Sequence, residues 1–489
     1  MAGGEGYAGR HLQQSDYYDQ KRTVEGQWHG RGAELLGLSG RVSSEDFESL
    51  RQGLDPETGE FLRQRQGSDR ISSDGAEQSK ARSLYDMTFS APKSVSVMAI
   101  VGGDERLIAA HQTAVRETLQ EAEKYSSTRV RLAGLNENRT TGNWIMAAYT
   151  HDTSRELDPQ LHTHAVAANL TYDGTEARWK ALQASGLYER RSYLTEVYRN
   201  ALAREVRALG YEIENRRDVA GKDKGFEIGG VSQEILDRYS RRSAQRDAAI
   251  EEFTQSRGRA PTDNEIAVLV RETRADKLQE ISTEQVRYRQ LERLAPNEQD
   301  MLRSLREEAI KQSSPLQLDH RVAYASLGHA QEHIFERLSV AKEHEILTEA
   351  LRHGRGQMEL SALQGILSRE RTSGNLVSAG DEIATHASLL RERDMVAVVN
   401  RGLDRCDRVG NSSHFESAPQ LRDEQRRAVE MVLDSTDLAI NVRGAAGTGK
   451  TATLREIDRG LRENGTQLYL SLLLAVPLTN CRKLAFVTR

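Results

Sequence analysis

Cysteine and proline are both scarce in this sequence. Its 489 residues include two cysteines, Cys406 and Cys481, and eight prolines. Two cysteines this far apart exclude a disulfide framework and a zinc site built from cysteines, and they fit a reducing cytoplasm. Few prolines combined with 29% charged residues are typical of a helix-rich protein, above all beyond residue 230.

Long apolar runs and an excess of basic residues are also missing. The longest apolar run, 468–478, is interrupted by Ser471 and Pro477 and is too short to cross a bilayer. No apolar N-terminal region resembles a signal peptide, so we expect no membrane insertion. The net charge of −5 gives no support for nucleic-acid binding by the chain as a whole. Any contact with DNA must therefore be local.

Changes of pattern along the chain predict several domains, as its length suggests. The first part mixes strands, such as 84–90 and 129–135, with helices such as 106–124, which predicts an α+β fold. A charged helical stretch follows, and a solvated helical surface is its simplest interpretation. The alternative is a thumb whose arginines and lysines hold the DNA backbone. The predicted regions are the α+β domain at 1–235, the charged helices at 236–320, a small helical module with a polar linker at 321–416, and a last region at 417–489.

Three histidines recur within fourteen residues, at His151, His162 and His164. Strand-like segments at 144–150 and 165–170 flank them, and an Asp-Pro pair supplies turn chemistry, so we predict a hairpin. Because alternate strand residues share a face, the last two histidines point the same way, and the first can close a three-nitrogen cup. Three neutral imidazoles leave coordination positions open, as a catalytic metal requires. The simpler alternative is a hairpin whose histidines only hydrogen-bond or face solvent.

An acidic residue and three tyrosines are candidates to complete such a site. Asp86 puts a carboxylate into the apolar alternation of the 84–90 strand, where it needs a partner. It can accept an N–H from a ligand histidine, or take the proton from a tyrosine; a local hydrogen bond is the simpler alternative. Tyr7 and the pair Tyr17 and Tyr18 supply the phenols, although tyrosines near a chain start are usually packing residues.

A second motif, GAAGTGKT at 444–451, satisfies the phosphate-loop pattern. We predict a strand over 438–443 before it and a helix over 452–461 after it. Glycine N–H groups in such a loop approach phosphates, the lysine contacts the β- and γ-phosphates, and the threonine binds Mg²⁺. Upstream, 421–429 resembles the adenine-reading glutamine motif of superfamily 1 helicases. The candidate nucleotide-binding residues are Gln425, Gly444, Gly447, Gly449, Lys450 and Thr451.

Four ordered motifs together resemble the MobF family of conjugative relaxases. They are the tyrosine pair at 17–18, QWHGRGAELLGLSG at 27–40, DMTFSAPKSVS at 86–96, and HDTSRELDPQLHTH at 151–164. The resemblance covers roughly residues 7–235 and resumes around 421–465. It implies an antiparallel-sheet palm of the two-histidine nuclease type with surrounding helices, followed by a helical region and the start of a P-loop, RecA-like α/β domain.

The resemblance also implies a reaction. A tyrosine would attack plasmid transfer-origin DNA with the help of a metal, leaving a 5′-phosphotyrosyl adduct and a free 3′-OH that can be rejoined without ATP. Mg²⁺ or Mn²⁺ is the expected metal and Zn²⁺ the alternative, with His151, His162 and His164 as ligands. The implied partners are single-stranded and hairpin origin DNA, a type IV secretion coupling protein and accessory relaxosome proteins. The covalent complex would form in the cytoplasm and be exported to a recipient cell.

The choice of nucleophile depends on the family's habit. Family members commonly carry two tyrosine pairs, whereas this chain has one pair and a lone Tyr7. Adjacent helical residues point about 100° apart, so both members of the pair should not face the metal. We favour Tyr17, with Tyr18 next and Tyr7 as a second-reaction tyrosine. The family also begins with a short strand for which Met1-Ala-Gly-Gly leaves no room, so the start is expected to be assigned several codons late.

The end of the chain predicts a fragment. Thirty-eight residues follow Thr451, too few for the acidic motif, arginine finger and second RecA-like domain of a helicase motor. We therefore expect ATP to bind at most without turnover. The tail at 467–489 has neither helical period nor strand alternation, and a frameshift would explain it. Two alternatives to a relaxase stay open: a rolling-circle replication initiator, and a DNA-binding remnant that does not cut.

Overall fold

The computed structural model describes residues 14–15, 19–63, 70–71, 77–78, 83–132, 134–154, 156–262, 265–266, 268–269, 282–316, 319–445 and 447–466. Backbone contacts divide the chain into two compact units. The first unit comprises 1–337, 341–373 and 380–382, and the second comprises 338–340, 374–379 and 383–489. The boundaries that we place after residues 235 and 320 both fall within the first unit.

The first unit mixes strands and helices up to residue 228, in agreement with the α+β prediction for 1–235, and the described elements between 233 and 335 are all helices. Its strands are β1 (Gln14–Ser15), β2 (Asp19–Thr23), β3 (Gly26–His29), β4 (Arg70–Ile71), β5 (Glu77–Gln78), β6 (Leu84–Ser90), β7 (Ser127–Leu132), β8 (Leu135–Thr140), β9 (Met146–Thr153), β10 (Pro159–Ala168), β11 (Thr171–Asp173), β12 (Arg178–Lys180), β13 (Leu182–Gln183), β14 (Ile213–Arg217), β15 (Asp223–Ile228) and β16 (Ala341–Lys342). Its helices are α1 (Arg31–Leu35), α2 (Ser44–Gln52), α3 (Lys93–Ile100), α4 (Arg106–Glu123), α5 (Ser185–Glu189), α6 (Arg191–Ala208), α7 (Gln233–Arg238), α8 (Arg241–Arg257), α9 (Thr283–Leu291), α10 (Pro296–Gln312), α11 (His320–Phe335), α12 (Glu343–His353) and α13 (Leu360–Thr372).

A four-stranded antiparallel sheet, in the order β3–β9–β10–β6, carries the histidines. The predicted hairpin is confirmed, because β9 and β10 are its two arms. The register places His162 opposite His151, and it places His164 opposite Tyr149 on β9 and Thr88 on β6. Directly paired residues lie on the same face of a sheet. All three histidines therefore share one face.

Apolar packing closes much of the histidine face. A core cluster there packs α1 and α2 against the sheet. Its buried members are Trp28, Ala33, Val42, Phe47, Leu50, Ile145, Ala147, Tyr149, Val166, Ala168 and Leu170. The opposite face is covered by α4 and α6, which reach Thr163 and Phe89 respectively. With helices on both sides, β10 is buried along nearly its whole length.

The helix α4 illustrates how the sequence dictates this packing. Its buried residues recur three and four positions apart, which is the spacing of one face of an α-helix. Leu107, Ala114 and Leu119 lie in this stripe, each almost completely buried. His111 occupies the same stripe and is fully buried. The helix predicted at 106–124 is thus confirmed, and its buried face includes the polar side chains of His111, Thr118 and Glu121.

The second unit is described over fewer elements. They are β17 (Leu376–Ala379), β18 (Glu382–Thr385, whose first residue belongs to the first unit), α14 (His386–Arg401), α15 (Asp423–Asp434) and α16 (Lys450–Glu463). An apolar core joins α15 to α16, with Val429, Leu433, Ile457 and Leu461 almost completely buried. The helix predicted at 452–461 is confirmed and is two residues longer at each end than expected.

One strand prediction is partly wrong and a second is wrong. The segment 129–135 is divided, since β7 ends at Leu132 and β8 begins at Leu135. Gly134 has a φ of 86°, a conformation that suits a tight hairpin turn. The segment 438–443 is not a strand. Among the described residues of the second unit no strand pairs with it, and a strand needs a hydrogen-bonding neighbour to form.

Candidate active site

The three imidazoles form a compact cup on the central sheet. The ring centroid of His151 lies 5.3 Å from that of His162 and 5.6 Å from that of His164, and the last two rings are 5.3 Å apart. His151 and His162 are 4% and 5% exposed, so the cup is largely shielded from water. The structure brings together the three residues that the sequence singles out as ligands.

Hydrogen bonds fix the orientation of two of these rings. His164 Nδ1 lies 2.9 Å from Asp86 Oδ2, and His162 Nδ1 lies 2.9 Å from the carbonyl oxygen of Gln160. An acceptor at Nδ1 holds the hydrogen on that nitrogen, so Nε2 is the nitrogen that would face a metal. Asp86 thus has the first of the two arrangements expected for it, in which a carboxylate accepts the N–H of a candidate ligand.

Burial keeps two of the three imidazoles uncharged. It lowers the pKa of His151 to about 3 and that of His162 to about 4, because a charged imidazolium would lose its hydration. The neighbouring histidines lower the pKa of His151 further, whereas the Gln160 carbonyl oxygen raises that of His162. Neutral imidazole is the form that binds a metal.

The spacing of the rings fits a metal. A tetrahedral ion with metal–nitrogen distances of about 2.1 Å would hold imidazole centroids about 5.3 Å apart. In the part of the chain that the structure describes, no three ligating side chains are already oriented to hold an ion. The planes of His151 and His162 are tilted by 29°, close to stacked, so a ring must turn to direct its nitrogen inward. The backbone register, which sets the spacing, is already in place.

The loop between the arms of the hairpin is anchored by arginines that the sequence gives no reason to select. Asp158, 1% exposed, accepts hydrogen bonds from Arg241 Nε at 3.1 Å and from Arg293 Nη1 at 2.7 Å. Arg287 Nη2 donates to Asp152 on β9 at 2.6 Å. Some arginines of the region predicted as charged helices therefore form ion pairs with the hairpin. A buried carboxylate needs such partners. The sequence does not show that Asp158 is buried, so it could not identify these arginines.

The candidate nucleophiles Tyr7, Tyr17 and Tyr18 lie outside the described residues. The nucleotide-binding candidates are described and lie together. Lys450 Nζ donates to the carbonyl oxygens of Gly444, at 2.9 Å, and Ala445, at 2.7 Å. Both of these hydrogen bonds lie within the loop itself.

The remaining contacts of the phosphate loop are also internal. Gln425 Nε2 donates to the Thr448 carbonyl oxygen at 2.9 Å, and its Oε1 accepts from the Arg422 N–H. Gly447 and Gly449 have φ angles of 77° and 81°, which glycine adopts without strain. Thr451 is exposed at the start of α16. The loop therefore has the residues of a phosphate site, with its lysine and glutamine bonded within the unit.

An antiparallel sheet that presents three histidines on one face, one of them hydrogen-bonded to a carboxylate, defines the first unit as a palm of the two-histidine nuclease type. Comparison with known families makes the assignment specific. A family model described as TrwC relaxase matches residues 1–296, which is more than half of the chain. The chain belongs to the TrwC relaxase family. This confirms the resemblance to conjugative relaxases, and a model described as an AAA domain matches residues 420–478, around the phosphate loop.

Individual relatives cover the same part of the chain. "Multifunctional conjugation protein TraI" of Escherichia coli (strain K12) is 41% identical over 240 residues, 47% of this chain and 13% of that protein. A protein of the same name from Escherichia coli is 41% identical over 256 residues, 50% of this chain and 14% of that protein. This chain thus spans less than a sixth of the length of either. A solved metal-bound complex of conjugative relaxase TrwC with oriT DNA is 34% identical, covering 59% of this chain and 93% of that one, with a TM-score of 0.49.

None of the helices in the described ranges is both long enough and apolar enough to cross a membrane.

Proposed function

We propose that the chain is a conjugative relaxase, which nicks one strand of plasmid transfer-origin DNA and rejoins it through a covalent tyrosine intermediate. The histidine cup carries this proposal. His151, His162 and His164 share one sheet face, and Asp86 holds the ring of His164, in a chain of the TrwC relaxase family. The remaining steps follow from the chemistry of these groups.

The proposed reaction exchanges one phosphate ester for another. The phenolic oxygen of a tyrosine, for which we favour Tyr17 over Tyr18, forms a bond to phosphorus, and the bond from phosphorus to the 3′-oxygen breaks. The phenolic proton leaves, and the 3′-oxygen gains a proton to become a hydroxyl. A phenol with a pKa of about 10 is a weak nucleophile at neutral pH, so the reaction needs electrostatic help. Tyr7 is the candidate for a second transfer.

A divalent metal in the cup would supply that help by neutralising charge that develops on the phosphate. His151, His162 and His164 would hold it, and burial keeps the first two neutral and ready to bind. Asp86, at 2.9 Å from His164, keeps that ring aimed at the cup. We expect Mg²⁺ or Mn²⁺ as the working metal, while three imidazoles also suit Zn²⁺.

The test is formation of a covalent adduct by the full-length chain. Fluorescent single-stranded oligonucleotides that tile the DNA flanking the gene are mixed with the protein and Mg²⁺ or Mn²⁺. We expect an adduct that survives SDS with one oligonucleotide, and we expect Tyr17→Phe to abolish it. His162→Ala should also abolish it. Oligonucleotides with and without an inverted repeat beside the cut site test the preference for hairpin DNA.

The controls separate the alternatives. Tyr18→Phe and Tyr7→Phe identify the nucleophile if Tyr17→Phe retains activity. Salt-sensitive binding of one oligonucleotide without any adduct, at every metal tested, would contradict the proposed reaction and favour a DNA-binding protein that does not cut. The coupling protein, the relaxosome proteins and the cytoplasmic location stay predictions from the family resemblance.

We also propose that the second unit binds a nucleoside triphosphate weakly. Lys450 bonds to two carbonyl oxygens of its own loop, and a phosphate would have to replace these bonds. Equilibrium binding of a fluorescent ATP analogue by the full chain tests this, with Lys450→Ala as the variant. Binding that is unaffected by Lys450→Ala would show that the analogue sits elsewhere.

A further inference from the structure

A row of hydrogen-bonded polar side chains, most of them buried, lies beneath the histidine cup. His111 on α4 is fully buried, with Nδ1 2.8 Å from the Tyr198 hydroxyl and Nε2 2.8 Å from Thr163 Oγ1. Thr163 Oγ1 in turn lies 2.9 Å from Thr150 Oγ1. These hydrogen bonds thus join two helices, α4 and α6, to both arms of the hairpin.

The two threonines in this row are sequence neighbours of the candidate metal ligands. Thr163 lies between His162 and His164 on β10, and Thr150 precedes His151 on β9. The two threonines are directly opposite each other in the register. Their side chains leave the sheet on the face opposite the imidazoles, because successive strand residues alternate. Each candidate ligand is therefore the sequence neighbour of a threonine held from below.

The hydrogen bonds can all be satisfied in a single direction. A neutral imidazole has one donor and one acceptor nitrogen, and a hydroxyl can both donate and accept. Tyr198 can donate to Nδ1, Nε2–H can donate to Thr163, and Thr163 can donate to Thr150; the reverse order also works. Burial lowers the pKa of His111 to about 3, which keeps the ring neutral as this scheme requires. Core packing alone does not call for a donor and an acceptor at this point, since an apolar side chain would fill the space.

We infer that His111 is a positioning residue for the metal cup: through Thr163 and Thr150 it fixes how the two arms of the hairpin lie against each other, and with them the three imidazoles. This inference rests on the proposed function, because it assumes that the cup takes a divalent transition metal. The helices α4 and α6 supply the fixed frame. Tyr198 adds an apolar contact, since its ring packs against Phe89 on β6 with centroids 5.5 Å apart.

The test measures metal binding rather than DNA cleavage. The full-length chain is titrated with Co²⁺ and Mn²⁺, with calorimetry for affinity and visible absorption of Co²⁺ for coordination geometry. His111→Leu should weaken binding about tenfold, the lower end of what loss of an outer hydrogen bond does to metal sites, and should alter the Co²⁺ spectrum. His111→Gln, which restores one donor and one acceptor, should recover most of the affinity.

A matched control distinguishes positioning from general stability. Leu119→Ala removes another buried side chain from α4, 2% exposed, and should lower the melting temperature without changing metal affinity or the spectrum. Thr163→Val removes a hydroxyl at constant shape and should weaken binding even if His111→Leu fails to fold. Native affinity in Thr163→Val and in every folded His111 variant, or an equal loss in Leu119→Ala, would overturn the inference. If the unmodified chain binds neither Co²⁺ nor Mn²⁺, the inference is overturned, whereas the proposed function fails separately, if no covalent adduct forms with Mg²⁺ or Mn²⁺.

Discussion

The histidine hairpin and the phosphate loop carry the two most distinctive motifs of the sequence, and they differ in how far the protein prepares them for a ligand. The hairpin lies inside a four-stranded sheet with helices packed on both faces. Its imidazoles are already 5.3–5.6 Å apart. At the phosphate loop, the residues 439–445 that lead into it have no regular secondary structure, and Lys450 donates hydrogen bonds to the loop's own carbonyl oxygens.

This difference shows what a motif specifies. Both motifs give the right residue types at the right spacing, but the surrounding packing decides whether these residues are held for a ligand. At the hairpin, a partner strand, a carboxylate and buried hydroxyl groups hold the donors. At the phosphate loop, a ligand must first replace hydrogen bonds that the lysine already makes. We therefore expect substitutions in the hairpin to have large effects, and substitutions in the phosphate loop to have small ones.

Substitutions of the motif residues themselves should change the protein most. His162→Ala should abolish the proposed covalent DNA adduct, because one of the three proposed metal ligands is lost, whereas Lys450→Ala should leave the adduct unchanged. Adduct formation on SDS gels, with both variants at equal concentration, measures this. Loss of the adduct in Lys450→Ala would mean that the phosphate loop takes part in the cleavage reaction.

The loop of the hairpin should be the next most sensitive point. Arg293→Ala leaves the buried Asp158 carboxylate with Arg241 as its remaining arginine partner. Breaking a buried ion pair typically costs about 3–5 kcal/mol, and the surviving partner should reduce this to about 2–3 kcal/mol. Urea unfolding followed by circular dichroism would measure the change.

A matched substitution tests whether burial is the reason. Arg303 pairs with Asp300 on α10, and both side chains are about two thirds exposed, at 66% and 69%. Arg303→Ala should change the free energy of unfolding by about 0–1 kcal/mol, as exposed ion pairs do. Equal losses in the two variants would show that the hairpin loop is no better anchored than the surface.

The sequence predicts the local part of the site well, and the long-range part poorly. Alternation along 162–164 and the helical stripe of α4 depend on neighbouring residues, so both could be read directly. His111 lies 52 positions from Thr163, and Arg293 lies 135 positions from Asp158, and no local pattern links such pairs. A polar residue in an apolar stripe was the one sequence signal for His111. The strand prediction at 438–443 is wrong for the same reason, because a strand depends on a hydrogen-bonding neighbour elsewhere in the chain.

A substitution of Asp86 tests whether the negative charge of its carboxylate contributes to metal affinity. Asp86→Asn keeps an acceptor for His164 Nδ1 but removes the negative charge, so Mn²⁺ affinity should fall about tenfold. Because the Asp86 side chain is 47% exposed, water would compensate part of the loss. Calorimetric titration of the full chain measures it.

Thr88 supplies the control for that experiment. Its hydroxyl lies 3.4 Å from the same nitrogen of His164, a longer contact than that of Asp86. Thr88→Val should therefore leave Mn²⁺ affinity almost unchanged. A larger effect of Thr88→Val than of Asp86→Asn would assign the orientation of His164 to the hydroxyl.

The smallest expected effect concerns two glycines of the phosphate loop. Gly447 and Gly449 have nearly the same φ, 77° and 81°, but differ in their surroundings. A Cβ at Gly447 would meet nothing within 4 Å, whereas a Cβ at Gly449 would lie 2.4 Å from Gln425 Nε2. Gly447→Ala should thus destabilise the second unit by about 1 kcal/mol through backbone strain alone.

Gly449→Ala should add to that strain the displacement of Gln425 from the Thr448 carbonyl oxygen, a hydrogen bond with a net contribution of about 1 kcal/mol. The difference between the two unfolding free energies isolates the glutamine contact, since the strain is common to both. In a Gln425→Ala background the difference should vanish, because the obstructing side chain is gone. A difference that persists there would show that backbone strain at the two glycines is unequal, and that the glutamine does not hold the loop closed.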